Sequence, residues 1–157
     1  MQSLQERYAP EGMCFGCGPR NGKGLRIRSI PDATDDRVVL CDWRAEPHHL
    51  AFPGMVNGGI CGAVLDCHSN WTAAYFLMKK SGLSTPPCTV TAEFAVKLKR
   101  PTPLGATLHL TAQVVEAESE GDRATVVSDL SANGKVTATC RGVFVAVKEG
   151  HPAFHRW

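Results

Sequence analysis

The stretch from Phe52 to Phe76 constrains the fold more than any other part of the chain. It reads FPGMVNGGICGAVLDCHSNWTAAYF, and its apolar residues recur at spacings of three and four. This pattern predicts a helix from Gly58 to about Lys79 that is apolar on nearly all of its faces. Because such a helix has to be covered on every side, we expect the rest of the chain to wrap around it.

The start of this helix and one charge inside it stand out. Pro53 and Gly54 predict a turn, and Asn57 is typical of a helix N-cap. The Gly58-Gly59 pair that follows is expected to leave backbone amides uncovered. Asp66 is the single carboxylate within the apolar pattern. Buried and unpaired it would be strongly destabilising, so it lies at a surface, is satisfied by hydrogen bonds or is kept for chemistry.

Patterns typical of β-strands occur in the sequence both before and after this helix. Residues 25–30 and 37–45 predict two strands before it, and turn residues separate four more strands after Cys88. We expect these four to form a meander. The order predicts an α+β fold in which a curved antiparallel sheet of about six strands wraps a long central helix. Residues 1–157 are expected to form one domain, with residues 1–24 as an irregular N-terminal segment and residues 150–157 as a tail.

The strand that begins after Cys88 alternates clearly in polarity. Its pattern predicts one apolar face and one polar face. The apolar face is expected to carry Val90, Ala92, Phe94, Val96 and Leu98, and the polar face Thr91, Glu93, Lys97 and Lys99.

Charge and composition exclude some partners. A net charge of +2 is too small to indicate nucleic-acid binding. No apolar run reaches the length of a membrane span, and the first residues lack the pattern of a signal peptide, so we expect a cytoplasmic protein without membrane contact. The seven cysteines are an odd number and suit a reduced compartment better than a disulfide framework.

Cysteine and histidine raise two further hypotheses. The Cys14-Phe-Gly-Cys17 spacing fits half of a zinc knuckle, but a single pair is a weak signal, and a buried turn explains it better. Cys67 and His68 suggest a thiolate–imidazole pair, yet adjacent helical residues point about 100 degrees apart and do not face each other. We expect no metal and no cofactor, and an interior His68 that still lines the site beside Asp66.

Several of these features together resemble the PaaI-like group of hotdog-fold thioesterases. They are the Gly-Gly helix start, an Asp eight residues after the first Gly, and a later strand that ends in Arg100-Pro101 before a Gly-containing turn. The N-terminal CFGCGPRNGKGL resembles a segment common in a branch of that group. The chain departs from the family pattern at Asn57, where the family most often has His.

The resemblance implies hydrolysis of an acyl-CoA-type thioester. It implies Asp66 as the catalytic carboxylate, acting as general base or nucleophile, and the Gly58 amide as the donor that polarises the thioester carbonyl. It also implies that Thr91 orients water and that the protein is a homo-oligomer, a dimer or a tetramer, with sites at a two-fold dimer interface. We expect substrate contacts from Phe52, Met55, Asn57, Gly59, His68, Lys97 and Arg100.

Helix geometry supports the two-chain site independently. Eight helical residues rise roughly 12 Å, so Gly58 and Asp66 of one helix are too far apart to act on one carbonyl. A second subunit packed antiparallel would bring them together in two composite sites. Two alternatives remain: a hotdog domain that binds an acyl-CoA or lipid without catalysis, and a hotdog dehydratase, for which Asp66 and His68 are an imperfect match.

Overall fold

Helix α2, Gly58–Lys80, packs against one face of a six-stranded antiparallel sheet, as predicted. The structure is a computed structural model, and it describes residues 1–156. The chain contains two short 3₁₀ turns, at Pro47–His49 and Glu116–Glu118. The remaining elements are α1 (Leu4–Tyr8), β1 (Ile30–Pro31), β2 (Val38–Arg44), β3 (Leu50–Phe52), β4 (Met55–Val56), β5 (Thr89–Leu98), β6 (Thr107–Val114), β7 (Arg123–Ala132) and β8 (Lys135–Ala146).

The central helix begins and ends close to where the sequence predicts. Asn57 is its N-cap, and Lys79 and Lys80 occupy its last turn, where cations interact favourably with the helix dipole. Val64, Leu65 and Trp71 are almost completely buried. The helix is therefore the core around which the sheet is wrapped.

The order of the strands differs from the predicted four-strand meander. The sheet runs β1-β2-β6-β7-β8-β5, so β5 pairs with β8 at one edge and not with β6. The connection after β5 does not form a hairpin with β6. It is held by hydrogen bonds to other elements and crosses beyond β8 and β7 to reach β6. Its Thr102 carbonyl accepts a 2.8 Å hydrogen bond from the Val56 amide, and the Thr102 hydroxyl lies 2.8 Å from that of Thr137.

A β-bulge changes which residues share a face of β5. Thr91 pairs with Phe144 and Glu93 with Val143, which leaves Ala92 as the extra residue. Since a bulge of one residue reverses the alternation of faces, the predicted assignment is wrong on the N-terminal side of Ala92. Thr91 lies on the helix-facing side together with Phe94, Val96 and Leu98, and Lys97 lies on the outer side.

The N-terminal segment is more ordered than predicted. Ser3 and Glu6 form a capping box that starts α1, and their spacing of three residues is the sequence signal for this helix start. Of the strand predicted over residues 25–30, only the end is observed, as β1 at Ile30–Pro31. Its backbone is diverted, because Leu25 and Ile27 donate to the carbonyls of Phe15 and Gly16. Arg26 between them has a φ of +53°, which interrupts an extended chain.

Among residues 1–156, no helix combines the length and the apolar character that a membrane span requires. Residues 151–155 of the predicted tail form turns, and Trp157 lies outside the described residues.

Gly142→Ala should destabilise the fold. A methyl group on Gly142 would lie 2.7 Å from two ring carbons of Phe144, a side chain with 0% exposure. Overpacking of this kind costs about 1–3 kcal/mol, so the melting temperature should fall by roughly 3–10 °C. Thermal unfolding followed by circular dichroism measures this shift.

Gly22→Ala is the matched control, because nothing lies within 4 Å of a methyl group added there. Its effect should stay within about 0.5 kcal/mol. Equal melting temperatures for the two variants would mean that Phe144 does not pack rigidly over Gly142.

Candidate active site

Asp66 and Thr91 form the polar pair at the flank of helix α2. The Thr91 hydroxyl donates a 2.7 Å hydrogen bond to Oδ1 of Asp66. No other hydrogen bond from residues 1–156 reaches the carboxylate, so Oδ2 is left to accept one from water or from a ligand. The structure thus brings two of the predicted catalytic residues together.

Their meeting depends on the bulge at Ala92. The bulge turns Thr91 toward the helix, where Thr89 two residues earlier also hydrogen-bonds Asn70 of α2. Burial raises the pKa of Asp66 above its usual range, and the hydrogen bond from Thr91 opposes that rise. The side chain is only partly buried, which leaves a path for water to the carboxylate.

The start of helix α2 leaves a single amide uncovered. Oδ1 of Asn57 accepts hydrogen bonds from Gly59 at 2.8 Å and from Ile60 at 3.3 Å. The expectation that both glycine amides are uncovered is therefore wrong for Gly59. The Gly58 amide has no acceptor among residues 1–156, so it remains the donor available at the positive end of the helix dipole.

A groove of about 370 Å³ opens beside this amide, and we name it the helix-start groove. It unites four of the residues predicted for the site, Phe52, Met55, Gly58 and Arg100. Apolar side chains line one part of it, and the cationic residues after β5 line another. Also at its wall are Ala51, Val56, Cys61, Leu98, Lys99, Pro101 and Thr102.

Two predicted substrate contacts lie elsewhere. Lys97 is paired with Thr139 and faces outward from the sheet. His68 is fully buried, with Ser29 Oγ 2.9 Å from its Nδ1 and the Val39 carbonyl 3.1 Å from its Nε2. Because burial lowers the pKa of His68 to about 4, the ring is neutral and serves the core.

The Gly58 amide and the Asp66 carboxylate, the two groups predicted to act on the thioester, lie apart in the structure. Gly58 lines the helix-start groove and Asp66 does not. A methyl group on Gly58 would lie 2.7 Å from the Leu98 side chain near the end of β5, whereas Asp66 bonds Thr91 near its beginning. Within one chain the amide and the carboxylate therefore lie beside opposite ends of the same edge strand.

One association of cysteines was not predicted from the sequence. Cys14 and Cys17 from the N-terminal loop meet Cys67 of helix α2. The loop pair was visible in the sequence, but nothing in the spacing indicated that a residue far along the chain would join it.

No protein-family model matches the chain, and no curated protein matches it. Solved structures do. A thioesterase superfamily protein from Shewanella loihica PV-4 is 25% identical with a TM-score of 0.63, over 78% of this chain and 91% of that one. A phenylacetic acid degradation-related protein from Ralstonia eutropha JMP134 is 24% identical with a TM-score of 0.62, over 78% and 86% of the two chains.

The PaaI protein of E. coli, from the phenylacetic acid degradation operon, is 18% identical with a TM-score of 0.63, over 79% of this chain and 81% of its own. These likenesses confirm the predicted resemblance at the level of the fold. The chain has the hotdog fold of thioesterase superfamily proteins.

Proposed function

We propose that the protein is a thioesterase that hydrolyses an acyl-CoA-type thioester to a free acid and a thiol. The observation that carries this proposal is the Asp66–Thr91 pair, a partly buried carboxylate with one oxygen held by a hydroxyl and the other without a hydrogen bond from residues 1–156. A core helix would be more stable with an apolar residue at this position, so a carboxylate with a free oxygen fits a chemical role.

In the general-base form of the mechanism, Oδ2 of Asp66 takes a proton from water while the water oxygen attacks the thioester carbonyl carbon. The Gly58 amide donates to the oxyanion that forms. When the tetrahedral intermediate collapses, the C–S bond breaks and Asp66 returns the proton to the leaving sulfur. The Thr91 hydroxyl donates to Oδ1 and can accept a hydrogen bond from the same water, which orients it.

In the nucleophilic form, Asp66 attacks the carbonyl carbon, the C–S bond breaks and the thiolate leaves, and water then hydrolyses the resulting anhydride to the free acid and the Asp66 carboxylate, with the released proton going to the thiolate. Both forms use the same amide. One oxyanion donor of this kind contributes about 3 kcal/mol to transition-state stabilisation.

Both forms of the mechanism require a second copy of the chain. The edge strand β5 is the surface to which this second copy would bind. β5 is paired on one side only, and its helix-facing Phe94 and Leu98 are 47% and 58% exposed. A long edge strand with exposed apolar side chains is prone to pair with another strand. The same strand carries Thr91 at one end and borders Gly58 at the other.

A two-fold axis near Phe94 and Ala95, at the middle of the exposed stretch, would place these ends together. Antiparallel pairing of β5 with the partner's β5 then sets Leu98 opposite the Thr91 end of the other chain. The Gly58 amide of one protomer would face the Asp66 carboxylate of its partner, and symmetry would create two such sites.

The helix-start groove is then the place for the nucleotide end of the substrate. Lys99 and Arg100 line it beside the apolar Phe52 and Met55. The Arg100 guanidinium is anchored by a 2.9 Å hydrogen bond to the Val136 carbonyl and keeps other N–H groups for a phosphate.

Asp66→Asn should lower kcat by at least about a hundredfold while the fold is retained, because the amide keeps the size of the side chain but cannot act as base or nucleophile. A thiol-release assay over a panel of acyl-CoAs measures the loss.

Asp129→Asn is the control, since it removes an exposed carboxylate from β7, outside the groove and the Asp66–Thr91 pair. It should turn over like the wild type. A folded Asp66→Asn variant with wild-type turnover would refute the catalytic role, and a wild type that binds the panel without releasing thiol would favour a non-catalytic binder.

Arg100→Ala should raise KM for the CoA thioester by about 3- to 10-fold with little change in kcat, because an exposed phosphate contact contributes to binding remote from the chemistry. The effect should shrink as salt increases and vanish with a pantetheine thioester that lacks the nucleotide.

Lys97→Ala is the matched control, since it removes a cation from the same strand but from the outer side of the sheet. It should leave KM unchanged for both substrates. If Arg100→Ala affects the two substrates equally, the nucleotide does not bind in the helix-start groove.

A further inference from the structure

Three cysteine thiols converge beside the candidate active site. Cys14 and Cys17 come from the N-terminal loop and Cys67 from helix α2, and their sulfur atoms all lie within 4.8 Å of one another. This is the one cluster of potential metal ligands that residues 1–156 contain. All three cysteines are free thiols.

The surroundings are shaped to hold these sulfurs. A methyl group on Gly16 would overlap the Cys67 sulfur, so only glycine lets the helix thiol approach the loop this closely. The Trp71 indole donates a 3.2 Å hydrogen bond to the Cys17 sulfur, the kind of outer contact that orients metal ligands.

The spacing of the sulfurs suits a shared metal ion better than a disulfide. A tetrahedral zinc ion with Zn–S bonds of about 2.3 Å sets its sulfur ligands about 3.8 Å apart. The Cys14 and Cys67 sulfurs are 3.8 Å apart. A disulfide would require about 2.05 Å, which would mean that the loop moves onto the helix.

We propose that Cys14, Cys17 and Cys67 bind one zinc-type divalent cation through three thiolates. Cys14 and Cys17 also line a cavity of about 270 Å³ together with Trp71 and Arg156, and this cavity would give the fourth coordination position room for a small ligand. Three protein ligands and one open position are the arrangement of zinc sites that keep a water or a small ligand.

Such an ion would add a further link between the N-terminal loop and helix α2, which already meet at Cys17 and Trp71. It fastens the loop of residues 12–24 to helix α2 at the residue next to Asp66. The proposal does not rest on thioesterase activity, because the three thiols would bind a cation whether or not the chain is an enzyme.

Cobalt tests it, because Co²⁺ occupies zinc sites and reports its ligands by colour. Reduced, metal-free full-length protein should bind one Co²⁺ per chain, with thiolate charge-transfer absorption in the near ultraviolet and strong visible bands typical of four-coordinate cobalt. Zn²⁺ should displace it. At a hundredfold excess over Kd the cation should also raise the melting temperature by about 5 °C or more.

Co²⁺ binding should weaken at least about tenfold in each of Cys14→Ser, Cys67→Ser and Gly16→Ala. Gly16→Ala keeps all three cysteines, but its methyl group pushes the Cys67 sulfur away from the other two. Cys88→Ser, which removes a partly buried thiol outside the cluster, should bind like the wild type. Since Cys14 is exposed, its serine variant should fold normally. Absence of stoichiometric binding, or an unchanged cobalt spectrum in Cys67→Ser, would overturn the three-thiolate site.

Discussion

The burial of helix α2 is the constraint on which the rest of the structure depends. Val64, Leu65 and Trp71 lose almost all contact with solvent, because α2 packs against strands β5 to β8 and the N-terminal loop reaches Trp71, whose indole donates to the Cys17 sulfur. The sheet ends at β5, and the flank of the helix beside this edge is where Asp66 lies partly exposed. The candidate active site therefore occurs where the wrapping of the helix stops, and the same edge offers the surface for a second chain.

Local features of the sequence predicted much of this fold, because they act over a few residues. The start of α2 was predicted from the capping preference of Asn57, and turns were predicted between the strands after Cys88. One of these turns, between β7 and β8, is formed by Asn133 and Gly134, and both residues have positive φ. The close approach of Thr91 to Asp66 was expected from family resemblance alone, and residue alternation pointed Thr91 to the wrong face.

What the sequence could not predict depends on contacts between distant residues. The bulge at Ala92 arises from the register between β5 and β8, and the position of β5 at the far edge depends on where the connection after it is tied down. The approach of Cys67 to the N-terminal loop is of the same kind, since it needs the space that Gly16 leaves. His68 was predicted to line the site beside Asp66, and only its partners Ser29 and Val39 show that it belongs to the core.

The central claim is that each active site combines the Gly58 amide of one chain with the Asp66 carboxylate of another, and a mixed dimer tests it most directly. Gly58→Pro removes the amide N–H at the first position of α2, where proline is tolerated. The ψ of 133° at Asn57 also suits a following proline. Gly58→Ala is the control, because it adds a side chain but keeps the amide N–H. A dimer of one Gly58→Pro chain and one Asp66→Asn chain, purified by two different tags, retains one intact composite site. It should recover about half of the wild-type turnover although both parent homodimers are inactive. A mixed dimer as inactive as its parents would contradict the composite site.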